Sequence, residues 1–180
     1  MGIPSAPQAV KFFTGIIFSP GNDLCGLKDK LINKWGGIDL ESPVFSFTQT
    51  DYYEHEMGPS LSKVFFSFEK LIYPDKLAQT KQYSNRIEKD FADRGAKFSR
   101  RFNIDPGYLT LSKIVLASTK DYSHRIYLGD NIYGEVTLLY QNKKFETLPW
   151  TYPDFTEPHY HKFFFEIRRI YCKQLRSSGT

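Results

Sequence analysis

The sequence has few cysteines and no long apolar run. Only two of its 180 residues are cysteine, Cys25 and Cys172, and neither belongs to a C-x-x-C pair. This count argues against a disulfide framework and against a zinc ribbon, and it predicts reduced thiols in a cytoplasmic protein. No segment reaches the roughly 20 apolar residues that a membrane-spanning helix needs, so we expect a soluble protein that does not bind a membrane.

Strong charge asymmetry and low-complexity segments are also absent. The chain has 24 basic and 20 acidic residues and a formal net charge of +4, a mild excess that permits an anionic partner without requiring one. It contains no basic arm, no glycine/serine linker and no DNA-binding motif. The length predicts one domain over residues 1–180, with a flexible N-terminus at 1–10 and a frayed tail at 177–180.

Aromatic residues, in contrast, are abundant. They make up 17% of the chain, with 16 Phe and 12 Tyr. Either some of these rings line a groove, a partner surface or a stacking platform, or Phe fills the core while Tyr lies at its rim.

The order of apolar patterns indicates an α+β protein. Alternating or continuous apolar runs predict strands, three-to-four spacing predicts helices, and Pro/Gly pairs separate them. The resulting order predicts a ferredoxin-like βαββαβ antiparallel sheet with the helices on one face. The predicted strands cover residues 11–19, 42–50, 63–72 and 97–104, and the predicted helices cover residues 24–35 and 77–91.

The second half of the chain extends this core. The D-P-G segment at residues 105–107 is predicted to be a turn, because Pro fixes φ and Gly permits a positive φ. Thr110 is then a predicted N-cap for a short buried helix over residues 111–118. A β-hairpin around residues 129–131 and a final helix over residues 157–175 complete the prediction.

Five segments resemble the signature of a known family. The domain-of-unknown-function 4416 family of small bacterial and archaeal proteins shows similar motifs, and the resemblance covers essentially the whole chain. This family has no established activity, although members are sometimes labelled GTP-binding, so the resemblance assigns no role to any residue. The segments are K-F-F-T-G-I-I-F-S at 11–19, D-Y-Y-E-x-E-M-G at 51–58, D-P-G-Y-L-T at 105–110, T-K-D-Y-x-H-R-I-Y-L-G at 119–129 and L-P-W-T-Y-P-D at 148–154.

A GTP-binding label predicts a phosphate loop, G-x-x-x-x-G-K-[ST], which this sequence lacks. Gly21 and Gly26 have the spacing of the two glycines, but Leu27 and Lys28 follow them. The T-K-D segment at 119–121 lacks the spacer of a guanine-reading T-K-x-D motif. We therefore do not expect a switch-type GTPase, while nucleotide binding by another mode stays open.

The leading hypothesis is a domain that binds a phosphorylated ligand, either a nucleotide such as GTP or an RNA segment. Three donors that can be cationic lie close together in sequence and would meet the anion: Lys120, His124 and Arg125. Four residues would shape the adjacent turn or contact an apolar or base moiety: Asp105, Tyr108, Trp150 and Tyr152. The alternatives are that the cations occupy a solvated face and that Trp150 belongs to a lid over the core.

Two further functions stay open. The loop over residues 51–58 concentrates carboxylates and an imidazole, and Asp51, His55 and Glu56 are candidate ligands for Mg²⁺ or another divalent metal. Such a site would make the protein a metal-dependent hydrolase or phosphoesterase, whereas a polar loop that hydrogen-bonds to itself would not. The third possibility is a protein-interaction module whose aromatic surface meets a partner or a second copy.

Overall fold

The computed structural model describes residues 2–177 of the chain. This part forms nine β-strands and four α-helices, with short 3-10 turns at Pro74–Lys76 and Pro153–Thr156. The strands are β1 (Lys11–Phe18), β2 (Ile38–Glu41), β3 (Phe45–Ser46), β4 (Ser62–Phe68), β5 (Phe102–Leu109), β6 (Lys113–Ser118), β7 (Ile126–Gly129), β8 (Ile132–Gln141) and β9 (Lys144–Thr147). The helices are α1 (Cys25–Trp35), α2 (Glu54–Met57), α3 (Leu77–Asp90) and α4 (Pro158–Ser177).

The strands form one antiparallel sheet with β1 near its centre. The order is β2-β4-β1-β5-β6-β8-β7, with β3 paired to β4 and β9 paired to β8. All eight residues of β1 are buried, as expected for a strand with paired neighbours and two covered faces. The prediction of an α+β protein with an antiparallel sheet is confirmed, but the sheet is larger than the predicted four-stranded core and has nine strands in the described chain.

Helices cover both faces of the sheet. Phe12 and Ile16 of β1 pack in the same cluster as the apolar faces of α1 and α3. Phe13, which points the other way because side chains alternate along a strand, packs against α4. The final helix, whose position the sequence left open, therefore covers the face opposite α1 and α3.

The predicted turn at residues 105–107 is wrong, because these residues lie inside β5 and pair with residues 13–15 of β1. Thr110 donates its N–H to Lys113 O at 2.9 Å. Backbone groups alternate in direction along a strand, so the nitrogens of Tyr108 and Pro106 also face β6. The β5–β6 pairing stops at Gly107, so the missing N–H of Pro106 falls where β6 no longer needs a donor.

The predicted helix over residues 111–118 is also wrong. Residues 113–118 form β6, which pairs with β5 and β8. A short apolar run such as this one fits a buried strand as well as a helix, and the β-branched Ile114 and Val115 favour the strand. Thr110 caps no helix; its hydroxyl instead accepts from the N–H groups of Ser112 and Lys113 in the β5–β6 turn.

The strands predicted over residues 42–50 and 97–104 agree only in part, because β3 covers only Phe45–Ser46 and β5 begins at Phe102. Several other predicted elements agree with the structure. Strand β1, helices α1, α3 and α4 and the β7–β8 hairpin all lie where the sequence predicted them. Asp130 and Asn131 have φ values of 53° and 58°, as a two-residue hairpin turn requires.

The two ends of the chain fall partly outside the described residues. Residues 2–9 have no regular secondary structure, and Ser177 ends α4. The rest of the predicted frayed tail, 178–180, lies outside the described residues, as does residue 1 of the predicted flexible N-terminus. Within residues 2–177, no helix combines the length and the apolar character needed to cross a bilayer.

Candidate ligand-binding cleft

A cleft of about 530 Å³ opens where β5 and β6 separate. The two strands pair only between residues 107–109 and 114–116, so the first half of β5 and the end of β6 diverge and line the cleft. Its other walls include the segments 47–53, 119–125 and 152–155, together with Arg100 and side chains from β1, β4 and α3. The cleft thus brings together parts of the chain that lie far apart in sequence.

Helix α3 supplies hydrogen-bond partners for backbone groups of β5 that β6 does not reach. Lys81 Nζ donates to Ile104 O at 2.8 Å and to Asp105 Oδ1 at 2.9 Å. Glu88 Oε1 accepts from the N–H of Ile104 at 2.7 Å. Because an unpaired buried backbone group is costly, these two side chains stabilise the separation of β5 from β6.

Asp105 lies on the floor of the cleft as a charged acceptor. Its Oδ2 accepts from Asn103 Nδ2 at 2.6 Å, and 29% of its side chain is exposed. Burial alone would raise the pKa of Asp105, but Lys81, Lys63 and the Asn103 hydrogen bond together hold that pKa below its usual value. Asp105 is therefore ionised at neutral pH and can only accept hydrogen bonds.

Lys63 is a buried cation on the same floor. Its ammonium pairs with Asp154, and only 4% of its side chain is exposed. Four aromatic rings lie around Nζ, the nearest being Phe155 with its centroid at 4.6 Å. Gly15 makes room for this arrangement, because a Cβ there would lie 3.2 Å from Lys63 Cε and 2.9 Å from Phe65 Cε1.

Arg100 closes one side of the cleft. Its guanidinium donates to Glu56 Oε2 at 3.0 Å, Glu88 Oε2 at 2.7 Å and Asn103 Oδ1 at 2.6 Å. It also lies over the ring of Tyr53, with 5.6 Å between Cζ and the ring centroid. These contacts fix Arg100 between α2, α3 and the start of β5.

Arg125 holds the opposite side together. Its Nε donates to Glu135 Oε2 at 2.7 Å, and the two side chains are 2% and 1% exposed. Nη1 donates to Ser118 Oγ at 2.8 Å and to Lys120 O at 2.9 Å, and Nη2 donates to Tyr152 OH at 2.5 Å. One planar side chain thereby links β8, the end of β6 and the 152–155 segment.

Lys120 lies at the mouth of the cleft and differs from the other cations that line it. It is exposed, and its Nζ lies 4.0 Å from the centroid of the Tyr52 ring. Across residues 2–177, no carboxylate lies within ion-pair distance of its ammonium. Lys120 therefore presents a positive charge that the described protein does not neutralise directly.

Four of the seven predicted ligand-binding residues line the cleft: Lys120, Arg125, Asp105 and Tyr152. His124 lies behind this lining, stacked against Trp150 at 5.3 Å between ring centroids, and its Nε2 is 3.2 Å from Glu135 Oε2. Trp150 Nε1 donates to Val136 O at 2.9 Å. Neither of these two rings lines the cleft.

Tyr108 lies on the other face of the sheet. It packs with Leu77 of α3 and Val115 of β6, and burial raises the pKa of its hydroxyl. The strand conformation of residues 105–109 explains this separation, because Asp105 and Tyr108 are three residues apart and so point to opposite faces.

The candidate metal ligands lie at and before α2. Glu56 pairs with Arg100, while His55 is exposed and Asp51 precedes the helix. In the part of the chain that the structure describes, no group of three or more His, Cys, Asp or Glu side chains is placed to hold a metal ion. Metal binding by these three residues therefore stays a prediction.

Sequence reasoning missed Lys63, Lys81 and Arg100. Lys63 is buried at the start of β4 next to the apolar run Val64–Phe66, and Lys81 lies on the buried face of α3 beside Leu77 and Ser84. A lysine at an inward position is uncommon and must find a partner, so these two positions carried a usable signal. Arg100 precedes β5 and had no comparable pattern.

Comparisons with known proteins give one match. Residues 8–171 match the family model described as Domain of unknown function (DUF4416). Neither the comparison with curated proteins nor the comparison with solved structures finds a match. The cleft is therefore the basis for a functional hypothesis.

Proposed function

We propose that this chain, which belongs to the DUF4416 family of domains of unknown function, binds a phosphorylated ligand the size of a mononucleotide in the cleft between β5 and β6. One observation carries the proposal: among residues 2–177, Lys120 at the mouth of the cleft has no carboxylate within ion-pair distance. The other four cationic side chains that line the cleft each pair with a carboxylate: Lys63, Lys81, Arg100 and Arg125. A volume of about 530 Å³ suits a small-molecule site.

The burial of these cations argues against a solvated basic face. The side chains of Lys63, Lys81 and Arg125 are only 4%, 6% and 2% exposed. Burying a charge is costly unless it is paired, and each of the three has a carboxylate partner. Lys120 has none, so it is the cation with charge available for a phosphate.

Aromatic rings at the mouth supply the second feature of a nucleotide site. Tyr52, Tyr122 and Tyr152 line the cleft and are each partly exposed, by 59%, 53% and 38%. A base can stack on such rings, a contact worth about 1 to 3 kcal/mol. The combination of rings and cations favours a nucleotide over inorganic phosphate.

A thermal-shift panel tests this function. The probes are GTP, GMP, ATP, AMP, inorganic phosphate and a short RNA, each with and without Mg²⁺. A ligand at about 100 times its dissociation constant adds about 2.7 kcal/mol of stability, which raises the melting temperature of a domain this size by several degrees. We expect at least one nucleotide to produce this shift and inorganic phosphate to produce a smaller one.

Matched lysine variants locate the site. Lys120→Gln removes the unpaired charge at the mouth and should reduce the shift. Lys97→Gln is the control, because Lys97 is also exposed and lies over a ring, with its Nζ 5.2 Å from the Phe98 centroid, but it is not part of the cleft. A shift with RNA but with none of the nucleotides would mean that the ligand is an RNA segment and not a mononucleotide. No shift with any probe would overturn the proposal.

The topology of the sheet is also part of the proposal. We propose that β1, α1, β2, β4, α3 and β5 form a ferredoxin-like unit that β6 to β9 extend. The order β2-β4-β1-β5 and the antiparallel pairing of these four strands support this interpretation. The cleft then lies at the border between the unit and its extension.

The proposed location is the cytoplasm, where nucleotides are plentiful. Cys25 is exposed, Cys172 is half-buried, and both are free thiols. Free thiols are the ordinary state in a reducing compartment. Fractionation of cells that produce the chain would test this location.

A further inference from the structure

The floor and the mouth of the cleft differ in charge. The two lining carboxylates, Asp105 and Asp154, pair with the buried ammonium groups of Lys81 and Lys63. Lys120 at the mouth has no such partner in the described chain and is exposed. An asymmetric ligand therefore meets two chemically different ends.

Asp105 keeps capacity to accept further hydrogen bonds. Oδ1 accepts from Lys81 and Oδ2 accepts from Asn103, whereas an ionised carboxylate offers about four acceptor positions. With 29% of its side chain exposed in the cleft, the free positions are open to a ligand. Hydroxyl groups are the donors that suit a charged acceptor of this kind.

A phosphate would not suit this floor. It would lie beside the negative charges of Asp105 and Asp154, and like charges at close range repel strongly where water is excluded. The ammonium groups of Lys63 and Lys81 already face these carboxylates, so little of their charge is left for a second anion. The phosphate is therefore expected away from the floor.

The mouth has the opposite chemistry. Lys120 presents its ammonium there, and Thr119, which is exposed, also lines the cleft. Ser118 Oγ accepts from Lys120 N at 3.1 Å and from Arg125 Nη1 at 2.8 Å, which holds this segment in place. A phosphate at the mouth can therefore pair with Lys120 without displacing a carboxylate.

We propose that the ligand is a ribonucleotide whose sugar hydroxyls bind to Asp105 on the floor while its phosphate binds to Lys120 at the mouth. This inference rests on the proposed function and adds the class of sugar. Asp105 is then the residue that distinguishes ribose from deoxyribose, because a carboxylate left without its hydroxyl partner loses a charge-assisted hydrogen bond.

The first experiment uses the wild-type chain. Calorimetric titration compares the nucleoside monophosphate that stabilises the chain most with its 2′-deoxy and 3′-deoxy forms. We expect at least one deoxy form to bind about 10-fold more weakly or worse, the value of one hydrogen bond to a charged group. Equal affinities would overturn this inference and leave nucleotide binding intact, whereas no binding by any nucleotide would overturn both.

Two variants attribute the discrimination to one side chain. Asp105→Asn removes the charge and should bring the ribose and deoxyribose affinities closer together. Asp39→Asn is the matched control, since Asp39 also pairs with a buried lysine, Lys11, but does not line the cleft. We expect this control to keep the wild-type ratio, and an unchanged ratio in Asp105→Asn would overturn the assignment. If Asp105→Asn does not fold, the wild-type comparison still decides.

Discussion

Glu88 and Arg100 meet inside the gap between β5 and β6, where Arg100 Nη2 donates to Glu88 Oε2 at 2.7 Å. The other oxygen of the same carboxylate accepts from the N–H of Ile104 at 2.7 Å. One side chain of α3 thus binds a cation and satisfies a backbone group that β6 does not reach. Burial raises the pKa of Glu88, although the charges of Lys81 and Arg100 oppose this shift.

The raised pKa predicts how Glu88 contributes to stability as the pH changes. A group with a raised folded-state pKa stabilises the protein below its unfolded pKa, which is near 4.5 for Glu, and this contribution is lost as the pH rises through the folded value. Gln keeps an acceptor but does not titrate. The stability of wild type relative to Glu88→Gln should therefore fall as the pH rises above about 4.5.

Urea unfolding at four pH values from about 4.5 upward measures the difference. Glu166→Gln is the control, because Glu166 is 50% exposed in a surface pair with Arg169, and such pairs contribute little to stability. A Glu88→Gln difference that stays constant or grows with pH would contradict the prediction.

Replacing Arg125 by Lys should destabilise the protein although the charge is kept. Lys cannot reproduce the planar set of donors to Glu135, Ser118 and Tyr152. The buried carboxylate of Glu135 would therefore lose part of its charged hydrogen-bond partner. We expect a loss of about 3 kcal/mol in the free energy of unfolding. Arg169→Lys, at an exposed pair, should change it by less than about 0.5 kcal/mol, and equal effects of the two variants would refute the role of Arg125.

Two buried tyrosines should respond oppositely to the same change. The hydroxyl of Tyr160 is buried and has no hydrogen-bond partner in the described chain, so Tyr160→Phe should leave stability unchanged or raise it by up to about 1 kcal/mol. Tyr171 OH donates to Ala9 O at 2.6 Å, so Tyr171→Phe should lower stability by about 1 kcal/mol. Thermal unfolding distinguishes the two, and a loss for Tyr160→Phe as large as that for Tyr171→Phe would contradict this assignment.

Two glycines should also differ in sign. A Cβ on Gly107 would lie 2.7 Å from Val115 O and 2.8 Å from Phe13 Cζ, so Gly107→Ala should cost about 3 kcal/mol through overpacking. A Cβ on Gly26 in α1 would meet its nearest neighbour, Phe91 Cε1, at 3.9 Å. Gly26→Ala should therefore stabilise the protein by about 0.5 kcal/mol through helix propensity. Chemical denaturation measures both, and a tolerated Gly107→Ala would show that β6 can move away from β5.

The fold was predictable from the sequence where the apolar residues within one segment recur at the spacing of a strand or a helix. Strand β1 and helices α1, α3 and α4 have apolar residues at the spacing of their structure, so local sequence located them. Pro106 and Gly107 misled because they usually indicate a turn. Here they lie within β5: the pairing with β6 stops at Gly107, so Pro106 needs no N–H, and the missing side chain of Gly107 leaves room for Val115 and Phe13. That meaning depends on β6 and is not readable from residues 105–107 alone.

The cleft was predictable only in part for a similar reason. Lys120 and Arg125 are close in sequence, and their clustering was visible. Lys81 and Asp105 are 24 residues apart, and Lys63 and Asp154 are 91 apart, so only the tertiary structure brings each pair together. A charge at an inward position shows that a partner must exist, but it does not identify that partner.

The central place of β1 has a consequence for folding kinetics. This strand leaves the ribosome before both of its partners, because it pairs with residues 62–67 and 102–109. Because contacts between distant residues form slowly, we expect the chain to fold on the slower side for its size. A nascent chain that ends before β5 exposes one edge of its most buried strand, so its chance of aggregation is highest at that stage of synthesis.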